Sequence, residues 1–444
     1  MNEVFYKPEG AWAADFIPYF DPKENRFHLF YLHDWRDRQN FGEGTPWYRI
    51  STTDLVHYTE HGEMLPRGTI EEQDLYVFTG SVIHALGQYH IFYTGHNPYF
   101  RQQGKAEQAI MHAVSDDLQH WQKIPADTFY ADPERYEPHD WRDPFVFWNE
   151  EAGAFWMLLA ARLKEGAPSR RRGCTALCTS KDLKTWQVGD PFYAPNLYYT
   201  HECPDLFRIG GWWYLVFSEF SEKLVTRYRM SRSLKGPWLA PMVDTFDDSY
   251  FYAAKTASDG TVRYLFGWNA TREGNQDFAP GQWGGNLAVH EIVQQEDGTL
   301  DVCLPESIQA HFRQPVEAAF RPGTGKSVIQ PDFIQVDAEG SFASAVGGDL
   351  PDPCMVEARI AFNAATRDFG LLLRLQEDGD HAYYVRLQPN EQQVVFDAWL
   401  WEMGRPRTVE LRRPVRRHAD PSFLPSGPAA SQAGRGSTAQ AGAV

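Results

Sequence analysis

The stretch NRFHLFYLHD at residues 25–34 is a short apolar and aromatic run closed by Asp34, and the chain repeats its pattern four more times. The copies are GQYHIFYTGH (87–96), GAFWMLLAAR (153–162), GGWWYLVFSE (210–219) and GTVRYLFGWN (260–269). Phe27, Tyr89, Phe155, Trp213 and Arg263 hold the matched position, 62, 66, 58 and 50 residues apart. Runs rich in aromatic and branched residues, ended by Gly, Asp or Asn, read as strands joined by tight turns. A period of this length holds a four-stranded antiparallel sheet with its loops. Five such sheets arranged radially make a β-propeller, which leaves few exposed edges. A β-sandwich accounts for the strands but not for the blade-sized period.

A second element follows the first four copies: TTDLVHY ending at Tyr58, SDDLQHW ending at Trp121, SKDLKTW ending at Trp186 and a looser SRSLKGPW ending at Trp238. Its Asp117 and Asp182 read as turn residues. The repeats stop near residue 300, so the expected organisation is an all-β chain with a five-bladed β-propeller over 1–304. After a linker, CMVEARIAF, FGLLLRLQE, HAYYVRLQP and QQVVFDAWL supply strand-length runs for a β-sandwich module over 325–415. After VELRRPV the sequence turns into RRHADPSFLPSGPAASQ, and a sandwich that lacked closing strands would expose an edge and apolar surface. From Pro421 to Val444, 17 of 24 residues are Pro, Ser, Gly or Ala. Such a composition cannot bury enough apolar surface to order itself, so 416–444 is expected to be a disordered tail.

Composition narrows the function. Across 444 residues, 42 Lys plus Arg stand against 59 Asp plus Glu, a formal charge of −17. That balance argues against nucleic acid, anionic membranes and acidic substrates, unless a local basic pocket exists. No apolar run reaches the roughly 20 residues of a membrane span. The start, MNEVFYKPEG, lacks the segments of a secretion signal, so a cytoplasmic location is expected. Cys174, Cys178, Cys203, Cys303 and Cys354 form an odd set without CxxC pairing, which favours reduced thiols over disulfides or zinc. Cys174 and Cys178, after the Arg170–Arg172 run, read as loop and strand.

The first strand of a blade lines the central axis, so residues a fixed distance before each matched position should converge there. Asp15 in WAADF lies twelve before Phe27, Asp143 in WRDPF twelve before Phe155, and Glu202 in HECPDLF eleven before Trp213. Blade two offers Phe78, Thr79, Gly80 and Ser81 there, and blade five Phe251 and Tyr252. Any one carboxylate reads equally as a turn residue or a solvated one. Three in equivalent inner-strand positions would crowd into one funnel, and crowding in a partly dry pocket raises at least one pKa, leaving an acid beside an ionised partner. Glycosidic cleavage uses such a pair.

At these segments the sequence resembles glycoside hydrolase family 32, the β-fructofuranosidases that include invertases, inulinases and levanases. HECPDLF (201–207) is close to that family's acid/base motif, WRDPFVF (141–147) to its Arg-Asp-Pro motif and FTGS (78–81) to its sugar-site motif. FYAAKT (251–256) with FGW (266–268) is similar to its fifth-blade signature, and FGLLLRLQE and VVFDAW to its C-terminal sandwich. The resemblance implies that Asp15 is the nucleophile, Glu202 the general acid and then base, and Asp143 a stabiliser of the transition state. It implies sugar or carboxylate contacts for Trp12, Thr79, Ser81, Arg142, Cys203 and Tyr252, a small carbohydrate substrate, and no metal or organic cofactor. Departures fall on the sugar pocket. The family's Trp-Met-Asn-Asp-Pro-Asn is here Trp12 to Ile17 with Ala14, and Leu32 stands where a Gln is common. His33, Asp34 and His139 are the compensating polar candidates, and Trp47, Phe78, Trp268 and Trp283 the candidate walls for a sugar ring. The implied activity is retaining cleavage of β-fructofuranosidic bonds in sucrose or small fructo-oligosaccharides. A fructosyltransferase, an arabinofuranoside-acting relative and a sugar-binding propeller without catalysis are the alternatives.

Overall fold

The computed structural model describes residues 4–277, 279–363, 365–399, 409–414 and 437–443. The chain is all-β. Five antiparallel meanders follow one another: β1 (Trp12–Asp21), β2 (Arg26–Asp34), β3 (Trp47–Thr52) and β4 (Thr59–Leu65); β5 (Tyr76–Ala85), β6 (Gln88–His96), β7 (Gln108–Ser115) and β8 (Gln122–Lys123). Next come β9 (Tyr136–Asn149), β10 (Ala154–Leu163), β11 (Gly173–Ser180) and β12 (Gln187–Val188), then β13 (Glu202–Ile209), β14 (Trp212–Glu219) and β15 (Val225–Ser231). The last meander is β16 (Phe251–Ser258), β17 (Arg263–Arg272), β18 (Gly281–Gln294) and β19 (Leu300–Cys303). The fourth meander has three strands, its outer edge carrying only the single pairings Arg227–Thr245 and Met230–Leu239. Pro237 and Pro241 lack the N–H groups that a longer outer strand needs. Among the described residues no helix is long and apolar enough to cross a membrane.

Burial explains how the meanders associate. Both faces of the middle strands are apolar, β2 reading buried over Phe27–His33, so each sheet must be covered on two sides. Four hydrophobic clusters fill the spaces between successive meanders. The first strands pack in a cycle, β1 on β5, β5 on β9, β9 on β13, β13 on β16 and β16 on β1. The last meander joins the first through the antiparallel pairing Ala13–Gly285. A Cβ at Gly285 would stand 1.8 Å from the Asn269 carbonyl oxygen, so this junction needs glycine.

The second repeated element is a set of side-chain-capped turns. Asp54 accepts from the Val56 and His57 N–H groups, Asp117 from Gln119 and His120, and Asp182 from Lys184 and Thr185. Each turn pushes a buried leucine into left-handed backbone: Leu55, Leu118 and Leu183 have φ of 63°, 62° and 61°.

Every first strand also carries a break in register, between Ala14 and Ile17, Phe78 and Gly80, Arg142 and Phe145, Glu202 and Asp205, and Tyr252 and Lys255. These β-bulges place Asp15, Asp143, Cys203 and Ala253 at φ of 45°, 60°, 50° and 51°. The equivalence drawn from spacing therefore needs a correction. Asp15 and Asp143 share the bulge position, but its counterpart in the fourth meander is Cys203. Glu202 lies one residue earlier, in register with Ala14, Phe78, Arg142 and Tyr252, because spacing does not register which strand residue enters a bulge.

Beyond the helix Glu306–His311, a four-stranded sheet runs Phe369–Leu373, Ala382–Gln388, Gln393–Trp399 and Val409–Pro414. Its burial is thin: among the described residues of 320–396 only Val385, Leu387 and Val395 are buried apolar residues, while Phe320, Phe333, Ile334, Phe342 and Leu350 are exposed. In the tail expected to be disordered, residues 416–436 and 444 lie outside the described set, but Ser437–Ala443 forms a strand antiparallel to Val356–Phe362. Pairing with an open edge uses backbone groups, so the small-residue composition does not prevent it.

Replacing Gly285 with alanine is expected to destabilise the protein by about 1–3 kcal/mol through overpacking at the junction of the first and last meanders. Urea denaturation checks this, and an unchanged midpoint would show that the junction has room to relax.

Candidate active site

The bulged ends of the first strands surround a cavity of about 350 Å³. Asp15, Asp143 and Glu202 all line it, together with Phe78, Arg142, Cys203, Tyr252, Trp268 and Trp283. Asp15 projects from the β1 bulge, behind which Ala13 and Ala14 are fully buried. Its Oδ1 accepts a hydrogen bond from Trp268 Nε1 at 2.9 Å. Trp268 is buried on β17, edge-on to Tyr252 at 5.5 Å. The Tyr252 hydroxyl in turn donates a short hydrogen bond to Glu202 Oε2. Asp15 and Glu202 are thus held by two aromatic side chains in contact.

Arg142 joins the other carboxylates. Its Nη2 and Nε donate to Glu202 Oε1 at 2.9 and 3.3 Å, and its Nη1 donates to Asp140 Oδ1 at 2.9 Å. Asp140 is braced from behind by Arg162 Nε at 3.2 Å. Asp143 Oδ2 lies 3.9 Å from Arg142 Nε and accepts the Cys203 N–H at 2.9 Å. Its own backbone N–H donates to Thr94 Oγ1 at 2.7 Å. Beneath the cavity, the buried Lys255 donates to the Pro204 carbonyl at 3.2 Å.

Crowding of like charges in a dry site sets the protonation states. Burial and then the Asp143 charge push the Asp15 carboxyl up to about 7, against the Trp268 hydrogen bond. Burial also raises Asp143, despite the adjacent Arg142. Burial disfavours the charged guanidinium of Arg142, but Glu202, Asp143 and Asp140 outweigh it and hold the group above its ordinary value. The Cys203 thiol is pushed far up by burial and Asp143, and the Tyr252 phenol by burial and Glu202, so both are neutral donors at physiological pH. A carboxylate able to hold a proton near neutrality beside a second, hydrogen-bonded one is equipment for nucleophilic and acid–base work on a bound molecule.

Seven residues expected at the site lie outside the cavity. Trp12 sits beneath the cations of Arg36 and Lys7, at 4.1 and 5.0 Å. His33 is buried and stacked on Tyr48 at 4.1 Å, with burial lowering its pKa to about 4, so it is a neutral core residue. Asp34 accepts the Arg36 N–H at 2.9 Å. Trp47 is fully buried and donates to the Phe78 carbonyl, supporting the strand from behind. Thr79 is buried, its carbonyl accepting from Thr94 Oγ1, and Ser81 accepts the Val146 N–H at 3.0 Å, tying the second meander to the third. His139 lies beside Glu107 at 3.6 Å. Conversely, Phe220 and Leu224 line the cavity from the turn between β14 and β15, and Gly281 and Gln282 from the first residues of β18, positions that no repeat marks. The available signals were GQWGG at 281–285, an aromatic among glycines, and the position of Phe220 just after a repeated strand. Among the described residues no cluster of three or more His, Cys, Asp and Glu is arranged to hold a metal ion.

Comparison with known proteins follows the same residues. Positions 6–302 match the family described as glycosyl hydrolases family 32 N-terminal domain. The chain is 28% identical over 361 residues to a sucrose-6-phosphate hydrolase of Vibrio alginolyticus, covering 73% of this chain and 66% of that protein. It is 26% identical over 316 residues to a raffinose invertase of Escherichia coli, covering 66% and 62%. These alignments span slightly less than two thirds of the relatives' own length. Among solved structures, an exo-inulinase from Aspergillus awamori superposes with a TM-score of 0.65 at 16% identity over 93% of this chain and 86% of that one. A sucrose-6-phosphate hydrolase from Lactobacillus gasseri superposes at 0.64 with 17% identity, over 91% and 79%. Both are likenesses of fold.

The raised Asp15 carboxyl has a consequence for stability. In the folded chain it titrates near 7, in the unfolded chain near the ordinary value of 3.8, so folding takes up a proton between these pH values and stability falls as pH rises through that window. Asp15→Asn removes the penalty while keeping an acceptor for Trp268. It is expected to stabilise the protein by about 1–3 kcal/mol at pH 8, with the gain fading toward pH 4. Denaturation midpoints across that range test it, and a variant less stable than wild type at pH 8 would contradict it.

Proposed function

The chain belongs to glycosyl hydrolase family 32, and from that premise we propose that it is a retaining β-fructofuranosidase acting on sucrose or small fructo-oligosaccharides. The observation that carries the reading is the shared cavity: Asp15 and Glu202 come from strands far apart in sequence, yet line one space and are linked through Trp268 and Tyr252. In the first half-reaction Glu202 gives its proton to the leaving glycosidic oxygen as Asp15 attacks the anomeric carbon. The C–O bond to the leaving group breaks and a fructosyl ester forms on Asp15. Glu202, now a carboxylate, keeps its hydrogen bonds from Arg142 and Tyr252, so the charge it gains is met by donors already in place. It then takes a proton from water, whose oxygen attacks the anomeric carbon and releases Asp15. Asp143, oriented by the Cys203 N–H and backed by Arg142, is assigned to the sugar hydroxyls and to the positive charge that builds on the ring in the transition state.

The reading extends to the architecture. The five meanders are proposed to be the blades of a five-bladed propeller over 1–304. The cyclic packing of their first strands and the Ala13–Gly285 junction support this. The sheet over 369–414 is proposed to belong to a β-sandwich module over 325–415. The structural likenesses, which cover more than nine tenths of the chain, support that assignment. The proposed location is the cytoplasm, where the five unpaired thiols stay reduced.

Chromatography of fructosides incubated with the protein tests the activity. Wild type is expected to release fructose from sucrose or short fructans, with Asp15→Asn and Glu202→Gln each at least about 10³-fold slower. Equal rates in the variants would remove both residues from the chemistry. Because Asp15 must be ionised to attack, kcat/KM of wild type is expected to fall about tenfold per pH unit below pH 7. A profile flat from pH 7 to pH 5 would contradict the ionisation assigned to it.

A further inference from the structure

We propose that the cavity wall beside Glu202 accepts a neutral leaving group with an apolar face and rejects a phosphorylated one. This rests on the fructosidase reading and names the substrate class of that same site. Glu202 delivers its proton to the leaving oxygen, so the leaving group lies on its side of the cavity. That side is formed by the turn between β14 and β15, since Glu202 pairs with Ser218 on β14 and the turn follows at once. The turn contributes Phe220 and Leu224 to the lining. Phe220 is 46% exposed although it packs on Tyr199 at 5.7 Å, and the turn is fixed to the segment before β16 by the Tyr250 N–H on the Leu224 carbonyl at 2.8 Å. Trp283, 39% exposed, adds a second aromatic surface to the lining. Apolar surface held open on a fixed turn gains by being covered, and a sugar's C–H face or an aromatic ring covers it.

The charges point the same way. Among the described residues that line the cavity, Arg142 is the only cation, and it is committed to Glu202 and Asp140. Against it stand the carboxyl groups of Asp15, Asp143 and Glu202. The cation on the turn itself, Lys223, is paired with Asp248 at 3.3 Å. Near Trp283, Arg36 Nη1 and Nη2 donate to Thr271, Gln282 and the carbonyls of Trp283 and Gly284. A phosphate brought to this wall therefore meets the three carboxyl groups while the nearby cations are engaged, Arg142 and Lys223 by carboxylates, Arg36 by neutral acceptors and the buried Lys255 by the Pro204 carbonyl.

Two pairs of substrates test the proposal on the intact protein. Methyl and benzyl β-D-fructofuranoside release alcohols of similar acidity, so the ratio of their kcat/KM values reports contact with the leaving group. Sucrose and sucrose carrying phosphate on its glucosyl C6 differ in charge at the same place. Wild type is expected to favour benzyl over methyl by about tenfold, and sucrose over its phosphate by at least about tenfold. Phe220→Ala, at an exposed position, is expected to lower the benzyl-to-methyl ratio several-fold. A benzyl-to-methyl ratio at or below one, a ratio unmoved by Phe220→Ala, or a preference for the phosphate would overturn this inference and leave the fructosidase reading standing. If folded wild type cleaves none of the four, that reading fails and takes the inference with it.

Discussion

A strand that alternates strictly presents every second side chain to one side, and the site depends on breaking that rule. The bulge in each first strand sets Asp15 and Asp143 in left-handed backbone, φ 45° and 60°, and puts the Cys203 N–H where it meets Asp143. Backbone of this kind costs of order 1–3 kcal/mol at each non-glycine residue and persists only where its surroundings over-determine it. Here they do so: Thr94 holds the Asp143 N–H and Trp268 holds the Asp15 carboxyl. The residue just before each bulge forms a second set, Ala14, Phe78, Arg142, Glu202 and Tyr252, which supplies the aromatic wall, the cation, the acid and its phenol partner.

The electrostatics follow from that geometry. Three acids share a buried space with one arginine, and burial, with the Asp143 charge second, raises the Asp15 carboxyl. Arg142 is itself oriented, because Asp140 is held between it and Arg162. A fixed guanidinium on Glu202 favours the carboxylate that remains after proton transfer, which suits the step that releases the leaving group. The proposed reaction asks for a proton on Glu202 and an ionised Asp15 at the moment of attack.

Much of this was legible in the sequence, for physical reasons that differ by element. The repeated strand kept its register: Phe30, Phe92, Leu158, Val216 and Phe266, each three residues after a matched position, face the first strand on the far side of its bulge. Middle strands buried on both faces leave little freedom in pattern or length, so spacing survives in them. The Asp-capped turns were equally readable, because an Asx turn needs its side chain at a fixed offset. Glu202 was placed one residue off, since a bulge leaves no mark in spacing. His33 and Trp47 were expected near the sugar but lie in the core, because composition does not distinguish an aromatic cluster that fills a core from one that lines a cavity. Phe220 and Leu224 carry no mark in the sequence because their turn follows no repeat, and Gln282 carries none because it opens β18 away from any matched position.

The claim on which the account turns is that Asp15 carries the glycosyl unit between protein and water. Rapid acid quench of wild type with saturating sucrose, followed by proteolysis and mass spectrometry, tests it most directly. The account predicts a peptide containing Asp15 heavier by one fructose less water, absent from Asp15→Asn. An adduct on a peptide without Asp15, or turnover whose first-formed sugar has inverted configuration at the anomeric carbon, would contradict it.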